Sequence, residues 1–226
     1  MAENMNRPRT QNPTDLVTDR SRPREIECQN TEVLADAYFR YEQLTLRTET
    51  FAGTLSPPYK REVLRSGRAV VVLLYDPVAH QLILIEQFRV GAYVNDLPSA
   101  WILECVAGLV DEGETNEATA RREAREETGC DLGRLEFIGA YLSSPGLSDE
   151  LVSIYVGEVD AARAGGVHGH VAEGEDIRTI IFSVEEALAA ADHGAVVNIM
   201  AQLALLWFAR HGEALRRRWL GPAIGS

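Results

Sequence analysis

The sequence lacks the features that would mark a metal-thiolate, secreted or membrane protein. It contains only three cysteines, Cys28, Cys105 and Cys130. Their odd number and irregular spacing predict reduced thiols in a cytosol rather than a metal site. No apolar run approaches the roughly 18 residues of a membrane span, and the polar residues 1–25 do not predict a secretory signal. We therefore expect a soluble, cytoplasmic protein.

Positive charge is also scarce. Lys and Arg number 22 against 34 Asp and Glu, which gives a formal net charge of −12. Nucleic acids and anionic membranes are bound by basic surfaces, so the composition argues against both as partners. A phosphorylated small molecule would have to be held by local cations rather than by the field of the whole protein.

The chain of 226 residues, 46% of them hydrophobic, predicts one domain with a smaller extension. Residues 1–30 predict a disordered arm, residues 31–66 a small N-terminal β-region, and residues 67–220 the main domain. Within it we predict strands at 69–75, 81–88, 101–108, 137–143, 151–159 and 177–182, and helices at 115–128, 183–191 and 196–217. This order predicts an α/β fold, a mixed sheet in an α/β/α sandwich.

Residues 108–130 read GLVDEGETNEATARREAREETGC. On the predicted helix, Glu123, Glu126 and Glu127 fall within about a third of the circumference. Like charges at this spacing repel, and two of them lie where the helix dipole disfavours anions. A hard divalent cation bound by carboxylate oxygens would offset both penalties. The alternative is a solvated acidic face, paired with neighbouring arginines.

The spacing in this segment resembles the Nudix box, the signature of hydrolases that cleave a nucleoside diphosphate linked to another group. The seven fixed positions are filled by Gly108, Glu114, Arg122, Glu123, Glu126, Glu127 and Gly129. Only Ala124 and Cys130 stand where the family usually has bulky aliphatic residues. The resemblance favours metal binding over a solvated face and implies a Nudix-type α/β/α sandwich.

The resemblance extends to the bacterial ADP-ribose pyrophosphatase branch, through Pro145 of the SSPG segment and through segments between about residues 35 and 220. It implies hydrolysis of ADP-ribose to AMP and ribose 5-phosphate, with two or three Mg²⁺ ions for which Mn²⁺ can substitute. The alternatives are hydrolysis of another nucleoside diphosphate sugar, such as GDP-mannose or ADP-glucose, and a Nudix-fold ligand sensor without catalysis.

The resemblance also implies roles for the residues of the box. Glu123, Glu127 and the backbone carbonyl of Ala107 match metal ligands. Glu126 matches a ligand or near-ligand that takes part in catalysis. Arg122 would orient these side chains by ion pairing. Glu114 matches a position of structural support.

The glycine-rich loop 163–176 matches a lid that carries carboxylates in this branch. By position, Glu173 would be the general base and Glu175 a metal ligand of the closed state. The alternatives are an exposed acidic loop and, for the base, Glu150. His168 and His170 resemble a metal pair, but we interpret them as polar loop residues because the cation should be bound by oxygen.

Substrate contacts are also implied by the resemblance. Arg89 would reach the diphosphate, a role that suits its planar guanidinium. Arg61 and Glu62 match residues near the adenosine, and Glu150 one near the distal ribose. Phe51 would stack on the base or belong to the core. Gly108 is also assigned to the substrate-binding set, and the contribution of the N-terminal region implies a homodimer with shared sites.

Overall fold

The structure, a computed structural model, describes residues 25–169 and 174–221. They form two compact units. The first comprises residues 25–68 and Ala140–Val152, and the second comprises Ala69–Gly139 and residues 153–221.

The first unit is built on an antiparallel sheet with the order β1-β2-β3. Its strands are β1 (Ile26–Asp36), β2 (Arg40–Thr48) and β3 (Tyr59–Arg65). The predicted arm ended at residue 30, but β1 already begins at Ile26, opposite Thr48 of β2. Backbone pairing with β2 therefore outweighs the polar composition of residues 26–30, and that part of the arm prediction is wrong. Nearly every side chain of β1 is exposed.

The second unit contains most of a larger sheet with the order β10-β11-β5-β4-β9-β8, in which β6 also pairs with β5 and β7 with β4. Its strands are β4 (Arg68–Asp76), β5 (Gln81–Phe88), β6 (Trp101–Glu104), β7 (Val106–Leu109), β8 (Leu135–Leu142), β9 (Leu151–Glu158), β10 (Val167–His168) and β11 (Ile177–Ser183). The predicted strand 101–108 is therefore two strands, because the chain changes partner at Cys105.

The helices are α1 (Val90–Val94), α2 (Asn116–Thr128), α3 (Val184–Asp192) and α4 (Ile199–Leu220), with a 3₁₀ turn at Ala161–Arg163. The three predicted helices are present, and α1 was not predicted. Helix α4 begins at Ile199 rather than at Val196, because Asn198 Oδ1 accepts the N–H groups of Met200 and Ala201 at 3.0 Å each.

Helix α2 packs on the core of the second unit through two small side chains. Ala120 and Ala124 are fully buried in one cluster with Val72, Leu74 and Ile85 of the central strands. The alanine at position 124, where the family usually has a bulkier residue, allows the helix to lie close to the sheet. The predicted α/β class, with a mixed sheet and a small N-terminal sheet, is confirmed. None of the described helices is long and apolar enough to cross a membrane.

Candidate active site

The acidic helix α2 is held at both ends by its own sequence. Thr115 Oγ1 accepts the N–H of Ala118 at 3.2 Å, which satisfies a free donor of the first turn. Gly129 ends the helix in the left-handed conformation, with φ 73°, and its N–H donates to the carbonyl of Arg125. Thr179 of β11 donates its hydroxyl to the carbonyl of Glu127 at 3.3 Å, which ties the end of α2 to the sheet.

Glu127 is the most buried carboxylate of the helix, with 5% of its surface exposed. Its Oε2 accepts the backbone N–H of Ala107 at 3.1 Å. Burial raises the pKa of Glu127 well above its ordinary value; the bond with Ala107 opposes this shift, and the charge of Glu123 adds to it. Glu127 therefore lies where an ionised carboxylate needs a positive partner.

Glu123 lies one helical turn before Glu127 and faces strand β7. A Cβ atom on Gly108 would overlap its carboxylate, so the side chain can keep this position only while residue 108 is glycine. Burial raises the pKa of Glu123 to about 7; Arg122 opposes this shift, whereas the charges of Glu126 and Glu175 add to it. Two neighbouring carboxylates with raised pKa values are typical of a functional site.

Arg122 connects the acidic residues of the box. Its guanidinium donates to Glu123 at 2.7 Å, to Glu126 at 3.0 Å and to Glu114 at 3.3 Å. Burial lowers the pKa of Arg122, but these bonds outweigh it and keep the side chain charged. The bond with Arg122, followed by that with Thr119, lowers the pKa of Glu114. The arginine thus fixes the side-chain directions of the glutamates around it.

Arg89 lies at the end of β5 and pairs with Glu104 of β6. Its Nε and Nη2 donate to one oxygen, Glu104 Oε2, at 2.9 and 2.7 Å. Sequence reasoning did not identify Glu104, because a single glutamate in an apolar strand belongs to no spacing motif. The sequence feature that could have identified Glu104 is its charge, because the rest of the run WILECVA is apolar.

The remaining predicted residues lie in three places. Glu175 belongs to the same unit as α2, and its charge contributes to raising the pKa of Glu123 and Glu127. Glu173, the predicted base, and His170 lie outside the described residues. The first unit carries Phe51, Arg61, Glu62 and Glu150.

Phe51 is 92% exposed in the connection between β2 and β3, so the alternative that it is a core residue is wrong. On β3, the Arg61 guanidinium lies 4.6 Å from the centre of the Tyr59 ring. The hydroxyl of Tyr41 donates to Glu62 at 2.6 Å and, with Gln43, lowers the pKa of that carboxyl. Glu150 directly precedes β9, and its N–H donates to Ser148 Oγ at 3.0 Å.

The donor set fits a hard divalent cation. Glu123, Glu127 and the Ala107 carbonyl all offer oxygen, and a positive charge would stabilise both carboxylates in their ionised forms. Among residues 25–169 and 174–221, no three His, Cys, Asp or Glu side chains converge into a ready-made metal site. The cation would therefore draw on backbone, substrate or solvent oxygens in addition to the glutamate pair.

Comparison with known proteins identifies the family of this chain. The family model of the NUDIX domain matches residues 65–203, more than half of the chain. The ADP-ribose pyrophosphatase of Escherichia coli (strain K12) is 40% identical over 195 residues, which cover 86% of this chain and 93% of that protein. The GDP-mannose pyrophosphatase of Cronobacter sakazakii is 32% identical over 180 residues, which cover 80% and 93%.

A solved crystal structure of an ADP compounds hydrolase superposes with a TM-score of 0.63 at 22% identity, covering 83% of this chain and 96% of that one. At this identity the likeness concerns the fold. The match of the family model and the 40% identity over most of the chain establish that this chain belongs to the Nudix family.

Proposed function

We propose that this Nudix hydrolase cleaves ADP-ribose to AMP and ribose 5-phosphate. The observation that carries the proposal is a pair of neighbouring carboxylates, Glu123 against Gly108 and the buried Glu127. It lies in a chain that is 40% identical to an ADP-ribose pyrophosphatase over 86% of its length. The proposed function is therefore supported both by the acidic site and by the similarity to an ADP-ribose pyrophosphatase.

Nudix hydrolases generally use a divalent metal, and we propose two or three Mg²⁺ ions, for which Mn²⁺ can substitute. Glu123, Glu127, the Ala107 carbonyl and Glu175 would hold them, with Glu126 as a further ligand or near-ligand. When bound, such ions neutralise the diphosphate and lower the pKa of water. The fit rests on the all-oxygen donor set and on the raised pKa values of Glu123 and Glu127.

The protein's own groups have distinct tasks in this proposal. Arg89 binds the diphosphate, because a guanidinium offers several donors to phosphate oxygens. Arg122 holds Glu123 and Glu126 in fixed orientations. Glu173 accepts the proton of the attacking water, which attacks the adenosine-side phosphorus in line and releases ribose 5-phosphate. Glu150 is the alternative base.

We also propose that the catalytic domain spans residues 67–220 and that residues 31–66 form a dimerising β-region. Strand β1 supports this, since it exposes Ile26, Val33 and Leu34 and has an unpaired edge among the described residues. In a cytoplasmic homodimer, Phe51, Arg61 and Glu62 would complete the substrate site. A small nucleotide sugar, the kind of substrate that the relatives act on, would then be bound by the acidic residues of α2 and by residues 31–66.

A second candidate substrate is GDP-mannose or another nucleoside diphosphate sugar, because a GDP-mannose pyrophosphatase is 32% identical over 80% of this chain. A ligand sensor without catalysis is disfavoured, since every acidic position of the box is filled.

The test is a panel of ADP-ribose, ADP-glucose, GDP-mannose and NADH, incubated with the enzyme and Mg²⁺ and then with phosphatase. Intact diphosphates resist phosphatase, whereas AMP and ribose 5-phosphate release inorganic phosphate. We expect the highest kcat/KM with ADP-ribose, and a kcat at least about 10³-fold lower in Glu127→Gln. A higher kcat/KM with GDP-mannose would reassign the substrate, and no phosphate from any member would refute hydrolysis.

A further inference from the structure

Glu104 is a buried carboxylate, and both of its oxygens accept hydrogen bonds from other side chains. Only 4% of its surface is exposed. Oε2 accepts from Arg89 twice and from Gln87 Nε2 at 3.1 Å, and Oε1 accepts from Asn198 Nδ2 at 2.8 Å. A buried charge is costly unless it is paired and fully hydrogen-bonded, and both oxygens meet that condition here.

Arg89, which pairs with Glu104, is partly exposed to solvent. The Arg89 side chain is 44% exposed, while that of Glu104 is 5% exposed. Nε and Nη2 are both directed at Oε2 of Glu104. Within the described part of the chain, Nη1 has no acceptor. One edge of the guanidinium is therefore fixed by the protein, and the other is available for a ligand.

Backbone contacts also fix the positions of Arg89 and Glu104. Strands β5 and β6 are paired, with Ile85 opposite Glu104, and the N–H of Arg89 donates to the carbonyl of Ala100 at 2.8 Å. The position of Arg89 is thus set at its backbone by Ala100, which directly precedes β6, and at its side chain by Glu104. Freezing a long side chain in advance reduces the entropy lost when it binds a ligand.

Asn198 connects this pair to helix α4. Its Nδ2 donates to Glu104 Oε1, and its Oδ1 caps the first turn of the helix. The carboxylate is therefore held through both oxygens, Oε2 by Arg89 and Oε1 by Asn198. If Glu104 only stabilised the fold, one edge of the Arg89 guanidinium would not need to stay exposed.

We infer that Glu104 is a positioning residue, which holds the Arg89 guanidinium in the orientation that binds the substrate diphosphate. The inference rests on the proposed hydrolase function through the role of Arg89 alone. It does not depend on which sugar the substrate carries.

A double-mutant cycle tests this role with Glu104→Gln, Arg89→Ala and the double variant. Kinetic constants are measured with whichever panel member wild type hydrolyses fastest. We expect Glu104→Gln to raise KM about tenfold and to change kcat less, because a less well-oriented arginine binds the diphosphate more weakly. We expect Arg89→Ala to lower kcat/KM about 100-fold and the double variant to match Arg89→Ala.

Non-additivity separates positioning from a general structural role, which would add its own loss to that of Arg89→Ala. Glu86→Gln is the matched control, because Glu86 of β5 also pairs with an arginine, Arg178 of β11, at 2.5 Å. It should leave KM unchanged. An additive double variant, or Glu104→Gln with wild-type kcat/KM, would overturn the inference. Wild-type kcat/KM in Arg89→Ala would also overturn it, while leaving the hydrolase activity in place.

Discussion

Gly108 and Glu123 occupy adjoining space, so that a Cβ atom on Gly108 would overlap the Glu123 carboxylate. The first lies on β7 and the second on α2. The contact gives a physical reason for the spacing of the box: the glycine at its start makes room for a glutamate in its helix. The glycine therefore serves the site rather than a turn.

We predict that Gly108→Ala displaces the Glu123 carboxylate and lowers kcat at least about 100-fold, since small displacements of catalytic groups are costly. It should also raise the Mg²⁺ concentration needed for half-maximal rate. Activity measured against a Mg²⁺ titration tests both effects. Gly91→Ala is the control, because a Cβ there meets nothing within 4 Å. Wild-type kinetics in Gly108→Ala would show that the contact is dispensable.

Glu127→Gln keeps the size of the side chain but removes its charge. We predict a loss of at least about 10³-fold in kcat, with the fold retained because the amide oxygen can still accept the N–H of Ala107. Mg²⁺ should raise the Tm of wild type, since a cation that binds only the folded state stabilises it, and this rise should vanish in the variant. Near-normal activity would remove Glu127 from the ligand set.

The raised pKa values predict how metal-free stability depends on pH. The pKa of Glu123 is about 7 in the folded protein, above its ordinary value near 4.3. The unfolded state therefore ionises first as the pH rises. The associated stability is fully present below about pH 4 and is lost as the pH rises through 7, with a loss on the order of 3 kcal/mol.

The measurement is the free energy of unfolding by urea, with chelator present, between pH 5 and pH 8. Glu123→Gln should make the profile less steep, because it removes one group that ionises on unfolding, while Glu127, whose pKa is also raised, remains. Saturating Mg²⁺ should also flatten it. A wild-type profile that rises over this range without metal would contradict the prediction.

Much of the fold follows from local sequence signals. Helix α2 was predicted because residues 115–128 contain no glycine or proline and Gly129 can end a helix in the left-handed conformation, which it adopts in the structure. The N-cap Thr115 was predicted as a residue of the helix itself. The five-residue α1 was missed, because it is too short for a periodic pattern and has no side-chain cap at Arg89. The division at Cys105 was missed because a continuous apolar run does not reveal a change of strand partner.

In the candidate site, too, some residues could be identified from the sequence and others could not. The spacing of the box identified Glu123 and Glu127, since it reflects the turns of one helix. Glu104 was out of reach because its partners, Arg89 and Asn198, are brought to it by strand pairing and by the packing of α4. Such long-range contacts leave no trace in residue spacing.

The capping box of α3 gives a test of stability that is independent of catalysis. Ser183 Oγ accepts the N–H of Glu186 at 3.1 Å, and Glu186 Oε2 accepts the N–H of Ser183 at 2.8 Å. We predict that Ser183→Ala lowers the free energy of unfolding by about 1 kcal/mol and leaves kcat/KM unchanged. Glu185→Gln, which alters the same turn without touching the box, should be near neutral. Equal effects of both variants would mean that the cap contributes nothing specific.

The identity of the general base is decided by two further variants, Glu173→Gln and Glu150→Gln. A base acts in the transition state, so its loss lowers kcat while KM stays within a few-fold. We predict this pattern for Glu173→Gln, with a loss of about 10²–10⁴-fold. Glu150→Gln should mainly change KM, as expected for a contact with the distal ribose. Glu175→Gln should raise the Mg²⁺ requirement, because the charge of Glu175 already acts on Glu123 and Glu127. Full activity in Glu173→Gln together with an inactive Glu150→Gln would transfer the role of base to Glu150.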